Sequence, residues 1–237
     1  MLLGISITGR VKMAADWGGE FGDDYVDRNL YIKDRSEFFE RFEPYGIKNA
    51  LEVGCNIGSN MVALKKAFDV QVTGVDINAK ALEIADAAGL YVLYDDATDL
   101  DFPSNEYNLV FTVGVLIHLN TPELIRAMQE MHRVSNGFVL FAEYYGDDIE
   151  VPYRGERGAL IKRDYGGIYQ ALFPGAIQVE TGTAGDDLGF DDVTYWMFYD
   201  VSNSASKDGF YQTARESIDG SQRGEPIGSL VGAVGSS

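Results

Sequence analysis

The chain has 237 residues, 46% of them hydrophobic and 12% aromatic, which is enough to bury a sizeable core within one domain. Its formal net charge of −18 and pI near 4.3 repel a polyanion, so no nucleic-acid partner is expected. A single cysteine, Cys55, forbids an intrachain disulfide, and two histidines, His118 and His132, give no zinc-ligand spacing; the expectation is a cytoplasmic protein without a metal. The opening residues 1–8 are too short to span a bilayer and lack a basic stretch ahead of a long apolar one, so no membrane association is expected.

Residues 1–15 read as a flexible extension, 16–201 as one domain, and the Gly/Ser-rich residues 202–237 as a disordered tail. Residues 23–42 suggest an amphipathic lid helix with Tyr25, Leu30, Phe38 and Phe39 as apolar contacts. From Lys48 onward, short apolar runs alternate with helical patterns, as in successive βαβ units of a parallel sheet. Strands are expected at 50–53, 71–76, 90–94, 107–113 and 137–143. Between them lie a helix at 57–68 with Met61, Leu64 and Phe68 on one face, and one capped by Asn78 with Ala81, Leu82 and Ala85 inward. Another opens at Thr121-Pro122-Glu123, with Thr121 as cap. A loop at 147–157, a short helix near 160–172 and strands at 176–180 and 193–201 complete the domain; two strands with no helix between them enter antiparallel.

The densest chemical signal is Leu51-Glu52-Val53-Gly54-Cys55-Asn56-Ile57-Gly58-Ser59-Asn60, between the first strand and its helix. Gly54 and Gly58 let backbone approach a ligand closely, and the helix that follows offers free N–H groups. Asn56 and Ser59 break the dinucleotide fingerprint Gly-x-Gly-x-x-Gly. Asp76, about twenty residues on, either accepts hydrogen bonds from two ribose hydroxyls or caps the next helix. Asp96 and Ala97 follow the third strand, where Asp96 either meets an adenine amino group or is a solvated turn acid, and Ile77 is placed to pack on the ring face.

The order Glu-x-Gly-x-x-x-Gly, Gly74-Val75-Asp76, Asp96-Ala97-Thr98 and Phe111-Thr112-Val113-Gly114-Val115-Leu116-Ile117-His118 resembles class I S-adenosylmethionine-dependent methyltransferases. More narrowly, the chain resembles the methylases associated with pseudaminic acid biosynthesis. The matching residues are Trp17-x-x-Glu20-Phe21-Gly22-x-x-Tyr25-x-x-Arg28-Asn29, the Gly54 to Asn60 loop, Val151-Pro152-Tyr153-Arg154-Gly155 leading to Lys162-Arg163-Asp164, and Asp191-Asp192-Val193-Thr194-Tyr195-Trp196. The resemblance implies a Rossmann-like α/β fold with a mostly parallel seven-stranded sheet and an antiparallel C-terminal strand. It also implies S-adenosylmethionine as cofactor and a small, anionic acceptor such as a sugar or nucleotide sugar.

On that reading the cofactor contacts are Trp17, Tyr25, Arg28, Glu52, Gly54, Asn56, Gly58, Ser59, Asn60, Asp76, Ile77, Asp96, Ala97 and Val113, with Arg28 near the methionine carboxylate. The catalytic candidates are His118, Glu143 and Tyr144, at the ends of the fourth and fifth strands; packing or capping would serve them equally well. Tyr153, Arg154, Arg157, Lys162 and Arg163 form a basic cluster suited to an anionic acceptor, or to neutralising nearby acids such as Glu156 and Asp164. A DNA amino-methyltransferase would carry an Asn/Asp-Pro-Pro-Tyr/Phe motif where Thr112-Val113-Gly114-Val115 stands, and a nicotinamide oxidoreductase would keep the glycine fingerprint. An inactive cofactor-binding regulatory protein, or a methyltransferase for another small metabolite, remain as alternatives.

Overall fold

The computed structural model describes residues 16–31 and 33–200. The expected extension 1–15, the tail 202–237 and Val201 of the last expected strand lie outside the described residues. In chain order the elements are α1 (Glu20–Arg28), α2 (Ser36–Glu40), β1 (Asn49–Val53), α3 (Ser59–Ala67), β2 (Gln71–Asp76), α4 (Ala79–Ala87), β3 (Tyr91–Tyr94), β4 (Tyr107–Val113), α5 (Thr121–Val134), β5 (Ser135–Glu143), β6 (Ile149–Glu150), β7 (Ile161–Lys162), α6 (Tyr165–Leu172), β8 (Ile177–Ala184) and β9 (Val193–Tyr199).

Seven strands form one sheet in the order β3-β2-β1-β4-β5-β9-β8. All pairs from β3 to β5 are parallel, whereas β9 runs antiparallel to both β5 and β8. This is the Rossmann-like arrangement with a single reversed strand. The central strands are covered on both faces, which is why β1, β4 and β5 read as continuous apolar runs rather than alternating ones. On one face Phe38, Phe39, Met61 and Leu64 meet Phe111 and Leu140 of the sheet. On the other, Leu124, Met128 and Met131 of α5 and Tyr165 and Tyr169 of α6 meet Val110, Phe141 and Trp196. Strand order reverses between β1 and β4, so their carboxyl ends open a crevice where ligands of such sheets bind.

Four local expectations change. The single helix expected over 23–42 is two helices, because Asp34 accepts hydrogen bonds from the backbone N–H and hydroxyl of Ser36 and so starts α2 afresh. Phe38 and Phe39 are fully buried as expected, but Leu30 falls in the break and is exposed. Asn120, not Thr121, caps α5: its side chain accepts from Glu123 N–H while Glu123 reaches back to the Asn120 N–H. The expected loop at 147–157 is not all loop, since β6 within it pairs with β7 as an antiparallel hairpin. That pairing occupies the start of the helix expected near 160, so α6 begins at Tyr165 behind an Asp164 cap. Among the described residues no helix is long and apolar enough to cross a membrane.

Candidate functional site

A cavity of about 1770 Å³ lies along the carboxyl ends of β1, β2, β3 and β4 and extends under α1 and the β6–β7 hairpin. Small-ligand pockets usually measure roughly 300–1,000 Å³, so this cleft is larger than most. The loop after β1 is drawn over β2: Gly54 and Cys55 N–H both donate to Val75 O, at 2.8 and 2.9 Å. Gly54 has φ +74°, and a Cβ there would come within 2.4 Å of Val115 Cγ2, so the residue type is dictated twice over. Asn56 takes φ +49°, donating its N–H to Asp76 Oδ2 at 2.8 Å and receiving Ile57 N–H on its own Oδ1.

Asp76 also accepts from Asn78 N–H, through Oδ1 at 2.8 Å. It does not cap α4; that task falls to Asn78, whose Oδ1 accepts from Ala81 N–H. Each carboxylate oxygen of Asp76 keeps a lone pair after its backbone bond, on the cavity wall, and burial raises the carboxyl above its ordinary range. Ile77, Ala97 and Val113 line the same wall. Asp96, also lining it, uses Oδ1 to receive Thr98 N–H and hydroxyl, and only that oxygen has a partner among the described residues. Asn56, Ser59 and Asn60 reach the cavity, whereas Glu52 and Gly58 stand behind it. Glu52 is fully buried; it receives Asn60 Nδ2–H on Oε1 at 2.6 Å, and burial pushes it up to about 8.

At the other end stands His118, in a short 3-10 helix over Leu116–His118. Its Nδ1 faces the carbonyl oxygen of Ala159, which fixes the neutral ring with Nε2 as an acceptor. Burial draws the ring down to about 4, so it is uncharged at neutral pH. Trp17 packs on it at 4.2 Å between ring centres, and Tyr153 lies 5.6 Å away. Trp17 further contacts Phe21 and Tyr25 at 5.0 and 5.4 Å, making an aromatic roof from the N-terminal segment and the hairpin. Asn78 secures that segment by donating Nδ2–H to Trp17 O and Asp23 Oδ1.

Other expected residues sit elsewhere. Glu143 is buried, and its two oxygens accept from Val115, Leu116 and Ile117 N–H, so it braces the turn after β4 and does not line the cavity. Burial pushes it up to about 8, with those donors pulling the other way. Tyr144, one residue on, does line the cavity. Arg28 turns outward to Asp24, 3.8 Å away, and is not at the cavity. The basic cluster is dispersed. Tyr153 and Arg154 line the cavity from a tight turn in which Arg154 takes φ +50° and Gly155 φ +89°. Arg157 is exposed, and Lys162 lies over the Tyr144 ring at 5.2 Å. Arg163 is buried, donating to Asp148, Leu119 O and Thr121, so it ties the hairpin to the start of α5.

Arg35 and Phe190 line the cavity without having been singled out in the sequence, and Asp191, named there only within the Asp191 to Trp196 match, lines it too. Phe190 had a usable signal: a reversed strand begins where its parallel neighbours end, so the residues just before β9 belong at the crevice. Arg35 had none, lying inside what reads as an uninterrupted helix.

Residues 50–136 match the family of methyltransferase domains. Ajmaline N-methyltransferase of Rauvolfia serpentina is 33% identical over 96 residues, covering 37% of this chain and 32% of that protein. Demethylmenaquinone methyltransferase of Staphylococcus epidermidis is 34% identical over 92 residues, covering 36% of this chain and 37% of its own. The chain spans about a third of the length of each. Among solved structures, the magnesium protoporphyrin IX methyltransferase of Synechocystis with bound S-adenosylmethionine superimposes with a TM-score of 0.54 at 15% identity, over 76% of this chain and 79% of that one.

Proposed function

With residues 50–136 forming a class I S-adenosylmethionine-dependent methyltransferase domain, we propose that the protein transfers the methyl group of S-adenosylmethionine to a small, anionic acceptor. The observation that carries this is one continuous cavity, with Asp76 and Asp96 on the wall at one end and the unprotonated Nε2 of His118 at the other.

When bound, the cofactor supplies an electrophilic methyl on a sulfonium. Asp76 offers one lone pair on each oxygen to two ribose hydroxyls, Ile77 and Ala97 provide apolar contact for the base, and Asp96 accepts from its amino group. The acidic lining, with Asp95 and Asp99 as well, favours a cationic ligand. Trp17, Tyr25 and Tyr153 exclude water and hold the acceptor in line, and His118 Nε2 receives the proton that an acceptor hydroxyl loses on methylation. Arg154, on the cavity rim, is the remaining member of the basic cluster placed to attract an anionic group. The likeness to sugar-pathway methylases favours an acidic sugar or nucleotide sugar, in a cytoplasmic setting compatible with the one free, buried cysteine.

The test is label transfer from methyl-labelled S-adenosylmethionine to a panel of acidic sugars and nucleotide sugars, alongside calorimetry with S-adenosylhomocysteine. Transfer to an anionic member, weakened in Arg154→Ala, supports the reading. Micromolar binding without transfer to cell-extract metabolites returns the regulatory alternative, and no binding overturns the assignment.

A further inference from the structure

Arg35 is a fixed cation with no direct ion pair among the described residues. Its Nε donates to Gly189 O at 3.0 Å, its Nη1 to Asn60 Oδ1 at 2.5 Å, and its guanidinium lies 4.4 Å from the centre of the Phe190 ring. It enters none of the ion pairs among the described residues. The acid on its inner side, Glu52, shares Asn60 with it, receiving the Asn60 amide on Oε1 at 2.6 Å, and makes no direct ion pair with Arg35. Asp191, on the outer side, pairs with Lys33 at 3.0 Å. Nη2 has no partner among the described residues, and Arg35 lines the cavity, as do Tyr25 and Tyr144, which interact with it electrostatically. A partly desolvated guanidinium with an open edge is matched by the planar, bidentate geometry of an oxyanion. In a chain of net charge −18, this guanidinium makes no ion pair and keeps Nη2 open beside the cavity.

We propose that Arg35 receives the carboxylate or phosphate of a ligand in this cavity. The inference rests on the methyl-transfer reading, and two sources offer that chemistry. Asn60 places Arg35 beside the loop after β1, where the amino-acid end of the cofactor would lie, and Tyr144 and Phe190 place it at the acceptor end.

Calorimetry on wild type, Arg35→Gln and Arg35→Lys separates them, using S-adenosylhomocysteine, 5′-methylthioadenosine, which lacks the amino-acid end, and inorganic phosphate or malonate. Losing a charge-assisted pair weakens binding roughly ten- to hundredfold. If Arg35→Gln weakens S-adenosylhomocysteine by that factor and leaves 5′-methylthioadenosine unchanged, the anion is the cofactor's carboxylate. If S-adenosylhomocysteine is unaffected, but phosphate or malonate binds the wild type and not the variant, the anion belongs to the acceptor. Arg35→Lys, which keeps the charge and loses the fork, falls between and serves where the Gln variant does not fold. Unchanged affinity for every ligand overturns the proposal. A wild type that binds neither adenosine compound removes the methyltransferase reading, while the phosphate and malonate titrations still decide the receptor.

Discussion

Replacing Asp76 by Ala separates its two tasks, because the geometry assigns each a magnitude. Within the protein it receives two backbone N–H groups, those of Asn56 and Asn78, both at 2.8 Å. Leaving a buried donor unmet costs about 1–3 kcal/mol, and this loop is open enough to water that the low end applies, so the variant should lose about 2–3 kcal/mol of stability. Towards the ligand, two ribose hydroxyls lose hydrogen bonds, about 0.5–1.5 kcal/mol each, so affinity should fall by roughly one to two decades. Urea unfolding gives the first quantity and calorimetry with S-adenosylhomocysteine, at a temperature where the variant is folded, gives the second. A variant that loses the stability and keeps the affinity would refute the ribose assignment and leave Asp76 as a brace for the loop.

If His118 acts as the base, kcat/KM should show no break near pH 6.5 and should fall only as pH approaches about 4, because burial lowers the ring and the uncharged form persists across that range; an acid limb centred near 6.5 contradicts it. Glu52 titrates near 8 in the folded state and near 4.5 unfolded, so its contribution to stability is complete below about pH 4.5 and is lost as pH rises through about 8. A shift of that size is of the order of 5 kcal/mol. Glu52→Gln keeps an oxygen for the Asn60 amide and should flatten the decline in unfolding free energy between pH 5 and 8.5, though Glu143 will sustain part of it with the same sign.

The central strands were legible because burial on both faces leaves an apolar run, and β4 falls where the sequence places it, at Tyr107–Val113; β2, at Gln71–Asp76 as expected, is more polar and was marked by its place between two helical patterns. The crevice residues that follow such strands were legible for the same reason, since a strand's end fixes where its next side chains go. What the sequence hides is the partner. Glu143 follows β5 as a catalytic acid would, and only the register of β5 on β4 brings it against the backbone of 115–117. Arg163 looks like a neighbour of Arg154, yet the β6–β7 pairing turns one inward and leaves the other at the rim. Arg35 escaped because the break before α2 depends on a two-residue contact, Asp34 to Ser36, that leaves no periodic trace.

Asn78 connects the roof to the floor of the cavity. Its oxygen starts α4, its amide hydrogens hold Trp17 and Asp23, and its backbone N–H rests on Asp76. The N-terminal segment is therefore tied to the ribose side through Asn78 and packed over His118 through the Trp17 ring. One side chain thus fixes both where α4 starts and where the aromatic roof sits, so a change at Asn78 would be felt at the floor and the roof of the cavity together.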